Sequence, residues 1–239
     1  MAPAHYIILH PESHRERLSI NGGALVGGSL RDWTGNVWVD APCGNEDPFV
    51  LCDAWIYSYC HATQLKRAPS ASPYVSRGSH LFYCSGDAAN EGLLRLDTVF
   101  LVDRVAAWPT DPLGLPSEFQ GHQDNLTSEL WTRHFKFAFL GHHEGRYTYV
   151  ARMWSEGAVD YSFLPIDRDK GRVTLDFDEL TDGLSSKIDA NVVGKYPVML
   201  SGSERDEILG LVRPRAAAHV VRVDTRRGVG FGTDAHRCC

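Results

Sequence analysis

The sequence predicts an α+β fold that is mostly β, with a curved or barrel-like sheet and a few flanking helices. Alternating or continuous apolar segments recur along the chain, turn-forming residues separate them, and helical periodicity is confined to two short stretches. With 239 residues, of which 43% are hydrophobic and 23% charged, the chain can bury a substantial core. We therefore predict a single domain over residues 1–239, with its core at about 50–200 and a peripheral C-terminal tail at 213–239.

The predicted strands are rich in β-branched and aromatic residues. In chain order they are HYIIL (5–9), NVWVD (36–40), FVLCDAWIYSY (49–59), HLFYC (80–84), TVFLVDRVAAW (98–108), RYTYVARMW (146–154), RVTLDF (172–177) and HVVRVD (219–224). Two helices are predicted from their caps: Asn125 precedes NLTSELWTRHF, and Ser203 opens SERDEILGLV. The loop 109–121, which precedes the first of these helices, is interpreted either as a lid or as a plain crossover.

The charge of the chain limits its partners. The formal net charge is −6, whereas a protein that holds nucleic acid mainly through phosphates needs a positive field. One stretch departs from this balance, because six arginines lie between Arg213 and Arg237. A solvated chain end is favoured over a nucleic-acid-binding patch for this stretch.

The N-terminal residues MAPAHYIILH lack the basic and long apolar regions of a secretory signal, and no run of about 18 apolar residues is present. The sequence thus predicts a cytoplasmic protein that has no membrane segment and keeps its six cysteines reduced. The spacings C-x-x-C and H-E-x-x-H do not occur, so no metal site is predicted. The motif GVGFG (228–232) is not followed by a predicted helix, so it does not predict a dinucleotide cofactor. The sequence leaves the cofactor and the oligomeric state unknown.

The segment WIYSYCHATQLKR (55–67) concentrates reactive and aromatic side chains at the end of a predicted strand. Cys60 and His61 resemble a thiol–imidazole pair, but neighbouring side chains on a strand point to opposite faces. A base from elsewhere, such as His80, would be needed. A buried, unreactive Cys60 is therefore favoured over a nucleophile.

Polar residues also mark the ends of two further predicted strands. One strand stops at Ser85, and the next is predicted to start at Asp97 and Thr98. Because consecutive strands are usually neighbours, these ends could converge on one concave site. Its walls would be aromatic and its polar groups short, namely Tyr57, Tyr59, Tyr83, His61, Gln64, Ser85, Asp97 and Thr98. Ordinary turn chemistry explains the same residues equally well.

Four short motifs at these positions resemble the nucleotide-modification-associated (Nmad) families. They are YSYCHATQ (57–64), LFYCSGD (81–87), LRLDTVFLVD (94–103) and YSFLPI (161–166). The resemblance implies a compact α+β domain related to the PUA-like barrels that accept a flipped base. It also implies a role with modified nucleotides, often in a phage or phage-defence context. The site residues that it implies are Tyr59, Cys60, Gln64, Ser85, Asp97 and Thr98.

Two functional hypotheses follow. In the first, the protein recognises or modifies a nucleotide, a nucleobase or a single-stranded nucleic acid in the aromatic site, where tyrosines stack and Gln64 reads a base edge. In the second, it is a small-molecule enzyme that uses Cys60 or Asp97 with a histidine as catalytic groups. The sequence leaves open whether the protein is an enzyme.

Overall fold

The computed structural model describes thirteen parts of the chain. They are 2–10, 15–21, 25–26, 34–40, 48, 55–57, 65, 74–85, 92–107, 147–167, 172–189, 197–216 and 218–220. The predicted helix after Asn125, the loop 109–121 and the GVGFG motif lie outside them.

Strands dominate the described residues, as the sequence predicts. They are β1 (His5–His10), β2 (Arg15–Asn21), β3 (Leu25–Val26), β4 (Thr34–Asp40), β5 (Ile56–Tyr57), β6 (His80–Ser85), β7 (Leu93–Ala107), β8 (Tyr147–Ala151), β9 (Leu164–Ile166), β10 (Thr174–Asp176), β11 (Val198–Leu200) and β12 (Ala218–Val220). A 3₁₀ turn (Phe177–Glu179) precedes the two α-helices, α1 (Asp182–Asp189) and α2 (Gly202–Arg215).

The main sheet is mixed. Its strands run in the order β11-β1-β6-β7-β8-β5, and β10 pairs with β7 off this path. Strands β1 and β6 are parallel, and the other pairs are antiparallel. Smaller sheets join β3, β12 and β9, and β2 and β4. Within the described residues this path of strands does not close into a barrel. The prediction of an α+β fold that is mostly β is confirmed, and the main sheet is open.

The hydrophobic core lies between one face of this sheet and the two helices. Alternate residues of β1 and β6 supply the sheet side, as their period of two requires. The helices supply the opposite side, and all these side chains are buried: Ile7, Leu9, Phe82, Cys84, Leu184, Ile188, Ile208, Leu209 and Val212. We call this the helix-covered face. The described part of the chain has no helix that is long and apolar enough to cross a membrane.

Helix α2 begins two residues before the sequence prediction. Its N-cap is Ser201, and Ser203 lies inside the first turn, so the predicted cap at Ser203 is wrong. The reason is a capping box: Glu204 N–H donates to Ser201 Oγ at 3.2 Å, and Ser201 N–H donates to the Glu204 carboxylate at 2.6 Å. Glu204 stands three residues after Ser201, and this spacing selects the earlier serine.

We expect Ser201→Ala to lower the free energy of unfolding by about 1 kcal/mol, because it removes the acceptor of the first-turn N–H. Urea denaturation followed by circular dichroism measures the loss. Ser186→Ala, at an exposed position within α1, is the matched control and should change stability by less than about 0.5 kcal/mol. Equal losses in the two variants would contradict the contribution of the cap.

Candidate functional site

Three tyrosines from three strands meet on the sheet face opposite the helices. The ring of Tyr57 in β5 contacts that of Tyr83 in β6 edge-on, with centroids 5.1 Å apart. It also stacks on the ring of Tyr149 in β8 at 5.9 Å. Tyr83 contacts Phe100 of β7 at 6.2 Å and lies directly opposite Thr98. Because opposed residues share a face, these side chains form one aromatic cluster.

This aromatic face must be concave. Strands β5 and β6 are separated by β7 and β8, so a flat sheet would hold them about 14 Å apart. Side chains stand roughly perpendicular to a sheet, and on a flat sheet the two rings would not meet. The contact between Tyr57 and Tyr83 therefore requires the sheet to bend along β7, toward the face that carries them.

A β-bulge at Asp97 marks the start of this bend. Tyr83 pairs with Thr98 but Cys84 pairs with Leu96, so Asp97 is the extra residue on β7. Before the bulge, Leu94 and Leu96 point into the helix-covered core, and after it Val99 does. Even-numbered residues of β7 therefore face the core before the bulge, and odd-numbered residues face it afterwards. The inserted residue keeps the apolar side chains of both halves in the core. A bulge also increases the local twist and bends the strand.

Asp97 itself is held in a buried ion pair. Its Oδ1 lies 2.9 Å from Nε of Arg172, and the two side chains are 0% and 8% exposed. The pair occupies a point where β7 changes backbone partners: Leu96 N–H donates to the Val173 carbonyl, and Val99 bridges to Phe163. A guanidinium at this distance stabilises the charged carboxylate. This arrangement suits a structural role for Asp97 better than that of a proton acceptor.

The fourth motif segment also reaches β7. Ser162 Oγ accepts a hydrogen bond from Leu101 N–H at 2.8 Å and donates to the Leu101 carbonyl at 3.3 Å. Val99 and Phe163 exchange both of their backbone hydrogen bonds, each 2.9 Å long. The described parts of the segments 81–87 and 161–166 therefore pair with β7, which carries the motif 94–103, and Tyr57 of the remaining segment reaches Tyr83 from β5.

The predicted site residues divide into three groups. Tyr57 and Thr98 lie on the aromatic face, both buried. Ser85 ends β6 opposite Arg95, and Asp97 lies in the bulge. The prediction that a strand starts at Asp97 is wrong, because β7 begins at Leu93 and places Asp97 and Thr98 in its interior. The remaining predicted residues fall outside the described residues, namely Tyr59, Cys60, His61 and Gln64.

Sequence reasoning missed Tyr149 and Arg172. The alternation in RYTYVARMW placed Tyr149 on a strand, but nothing local showed that it would lie opposite Tyr57. Arg172 immediately precedes an apolar strand segment, where a charged residue is ordinarily read as solvent-exposed. The sequence signal for a nearby cation was the position of Asp97 inside the apolar segment LLRLDTVFLV (93–102), since a carboxylate that is buried requires a partner.

His80, the base suggested for Cys60, belongs to the helix-covered face. It lies two residues before Phe82 on β6, and its Nε2 is 3.3 Å from Oδ2 of Asp160. Asp160 Oδ1 in turn accepts a hydrogen bond from Arg213 at 2.6 Å. His80 is thus engaged with a carboxylate on the face opposite the aromatic cluster.

Two arginines of the predicted basic tail are paired with carboxylates. Arg213 binds Asp160, and Arg215 binds both oxygens of Glu179. Burial raises the pKa of Asp160. This effect is outweighed by the hydrogen bond and charge of His80 and by the charges of Arg213 and Arg152, so the pKa of Asp160 lies below its usual value. The hydrogen bond from Arg215, with that from the backbone of Asp176, lowers the pKa of Glu179. These two charges are therefore committed within the fold.

Comparisons with known proteins add no family to this description. No protein-family model matches the chain, and neither the curated proteins nor the solved structures gave a match. Among the described residues, no group of three or more histidine, cysteine or carboxylate side chains is arranged to hold a metal ion. The site is therefore defined by the aromatic cluster and its neighbouring segments.

Proposed function

We propose that the protein recognises or modifies a nucleotide or nucleobase in an aromatic-lined pocket at the end of the concave face. One observation carries this proposal: segments far apart in sequence converge through Tyr57, Tyr83 and Thr98 on a single concave surface. These segments carry the motifs that resemble the Nmad families, whose domains are associated with modified nucleotides and phage defence.

In this proposal the aromatic cluster is the floor of the pocket. Tyr57, Tyr83 and Tyr149 are fully buried, so they pack against one another and fix the bend of the sheet. The ligand-contacting groups follow directly in the chain. Tyr59 is two residues beyond Tyr57 in the sequence, and the proposal assigns it to the ligand.

The proposed contacts follow from side-chain chemistry. Tyr59 stacks on the base, which typically contributes about 1–3 kcal/mol per ring. Gln64, whose neighbour Leu65 is buried, presents an amide that can pair with a base edge through two hydrogen bonds. His61 and Ser85 supply further hydrogen bonds to the base or the sugar.

The charge of the chain narrows the ligand class. With a formal net charge of −6, the protein lacks the general positive field that favours long duplex DNA. We therefore propose a free nucleotide, a nucleoside or a short single-stranded segment. PUA-like architecture, with a base accepted after flipping, is the form of the fold that this proposal favours.

If the protein modifies its ligand, Cys60 is the proposed reactive group. Asp97 is the weaker candidate because Arg172 neutralises it. For the same reason, an enzyme that uses Asp97 with a histidine fits the structure less well, since the described histidine–carboxylate contact joins His80 to Asp160.

We expect Tyr59→Ala to weaken nucleoside binding about tenfold or more, which corresponds to one lost stacking contact. Isothermal titration calorimetry with the four common nucleosides and their 5′-monophosphates measures the dissociation constants. Trp154→Ala is the matched control, because Trp154 is an exposed aromatic residue, 39% accessible, outside the cluster. It should leave the affinity unchanged.

Two results would reject the proposal. If no nucleoside, nucleotide or short single strand raises the melting temperature of the wild-type protein, the ligand class is wrong, since binding stabilises the folded state by mass action. If a nucleoside binds but Tyr59→Ala and Trp154→Ala have equal affinities, the assigned pocket is wrong.

A further inference from the structure

Two buried histidines lie side by side at the start of β1 and β6, on the helix-covered face. His5 and His80 begin the parallel neighbours β1 and β6, and both belong to the rows that continue into the helix-covered core as Ile7 and Phe82. They are 3% and 1% exposed. Their rings are 5.7 Å apart. Apolar side chains would suit these positions, so the histidines introduce polar chemistry where packing alone does not require it.

One hydrogen bond fixes the protonation state of His5. The backbone N–H of His80 donates to Nδ1 of His5 at 3.0 Å, so Nδ1 must carry a lone pair and the neutral ring carries its proton on Nε2. If Nδ1 of His5 were protonated, it would become a donor and would oppose the N–H of His80, which is also a donor. The folded arrangement is therefore incompatible with protonation of His5 at this atom.

A chain of polar contacts connects the same histidine pair to α2. His80 Nε2 lies 3.3 Å from Asp160 Oδ2, and Asp160 Oδ1 accepts from Arg213 in the last turn of α2 at 2.6 Å. The first turns of α2 contribute Arg205 and Asp206, whose charges act on His5 in opposite directions. On β11, the residue opposite His5 is Leu200, which carries no charge.

We propose that His5, His80 and Asp160 form an acid-operated latch that holds α2 against the sheet at neutral pH and releases it under acidic conditions. Release would expose the apolar side of the helix, formed by Ile208, Leu209 and Val212. The latch lies on the face opposite the aromatic cluster and does not depend on the proposed ligand.

The electrostatics of the cluster agree with this direction. Burial, together with the charges of Arg205 and His80, lowers the pKa of His5 from 6.5 to about 4, and Asp206 opposes the shift. A released or unfolded His5 takes up a proton below pH 6.5, whereas the latched form does not until about pH 4. Latching is thus fully favoured above pH 6.5 and weakens as the pH falls toward 4. The pKa of Asp160 is lowered, so Asp160 stays charged through this window and the pH dependence arises at His5, which would gain a positive charge near Arg205 of α2.

Hydrogen exchange of the intact protein tests the latch. Between pH 7 and pH 4.5, the opening equilibrium of α2 amides should rise on the order of 50-fold, after correction for the intrinsic exchange rate. Amides of β7 should keep their protection. His5→Gln retains a side-chain acceptor for the His80 N–H but cannot titrate, so its α2 amides should lack most of this rise.

Two outcomes would overturn the proposal. One is an equal pH response of α2 in the wild-type protein and His5→Gln, and the other is equal loosening of α2 and β7. If His5→Gln does not fold, the wild-type imidazole still decides the question by NMR titration. A midpoint below pH 5 for His5, together with the acid-induced opening of the α2 amides, supports the latch, and a midpoint near pH 6.5 refutes it.

Discussion

Tyr83→Ala is expected to lower the free energy of unfolding by about 3–5 kcal/mol, a large part of the stability of a typical domain. Tyr83 is fully buried on the concave face, and its ring contacts those of Tyr57 and Phe100. Truncation removes the apolar contacts of the ring and leaves a cavity that the bent sheet can fill only partly. Urea denaturation followed by circular dichroism measures the change.

Two further variants make this prediction specific to the cluster. Trp154→Ala removes an aromatic ring that is 39% exposed, and it should cost less than about 1 kcal/mol. A double-mutant cycle with Tyr57→Leu and Tyr83→Leu should give a coupling energy of about 0.5–1.5 kcal/mol, as expected for an edge-to-face pair. A coupling energy near zero would contradict the contact that defines the concave face.

Much of the strand content could be predicted from the sequence because it depends on local patterns. HYIIL and HLFYC became β1 and β6 with nearly the predicted bounds. Both are apolar on both faces, and both faces are buried in the structure. Such continuous apolar runs are typical of strands covered on two sides. The mixed sheet, in which β1 and β6 are parallel, follows from long-range pairing that the pattern does not specify.

Errors in the sequence prediction occurred where a residue departs from regular periodicity. Asp97 interrupts the apolar alternation of β7, and a polar residue in that position was read as the start of a strand. It is instead the extra residue of a bulge, stabilised by Arg172 from a distant segment. Helix α1 was missed as well, because DGLSSKID is short and combines glycine with two serines. Its buried residues, Leu184 and Ile188, show that packing rather than propensity forms it.

For the candidate site, the sequence predicted that polar strand ends converge but not the environment of each side chain. Among the described residues, Tyr57, Tyr83 and Thr98 share one face of the sheet. Their complete burial could not be predicted, because it depends on the bend of β7. The roles of Tyr59, Cys60, His61 and Gln64 stay predictions, and the binding experiment with Tyr59→Ala addresses them.

The two faces of the sheet have different polar chemistry. The helix-covered face carries the imidazoles of His5 and His80, and the concave face carries the rings of Tyr57, Tyr83 and Tyr149. Asp97 and Arg172 lie at the bulge on the strand common to both sides of the bend. Loss of this ion pair is therefore expected to affect the whole sheet rather than one face.

Arg172→Met should lower the free energy of unfolding by about 3–5 kcal/mol. It removes the cation that lies 2.9 Å from Asp97, a carboxylate that is 0% exposed. Methionine preserves much of the length of the arginine side chain, so lost packing accounts for little of the effect.

The exposed pair Arg77–Asp103 provides the control for this experiment. It joins the same two residue types, with Nε and Oδ1 3.3 Å apart, but Arg77 is 74% exposed. Water already solvates both of its charges, so Arg77→Met should cost less than about 1 kcal/mol. The double variant Asp97→Leu/Arg172→Met removes both buried charges and should recover part of the stability that Arg172→Met loses. If the double variant has a lower free energy of unfolding than Arg172→Met, packing around the bulge, rather than the ion pair, stabilises this part of the sheet.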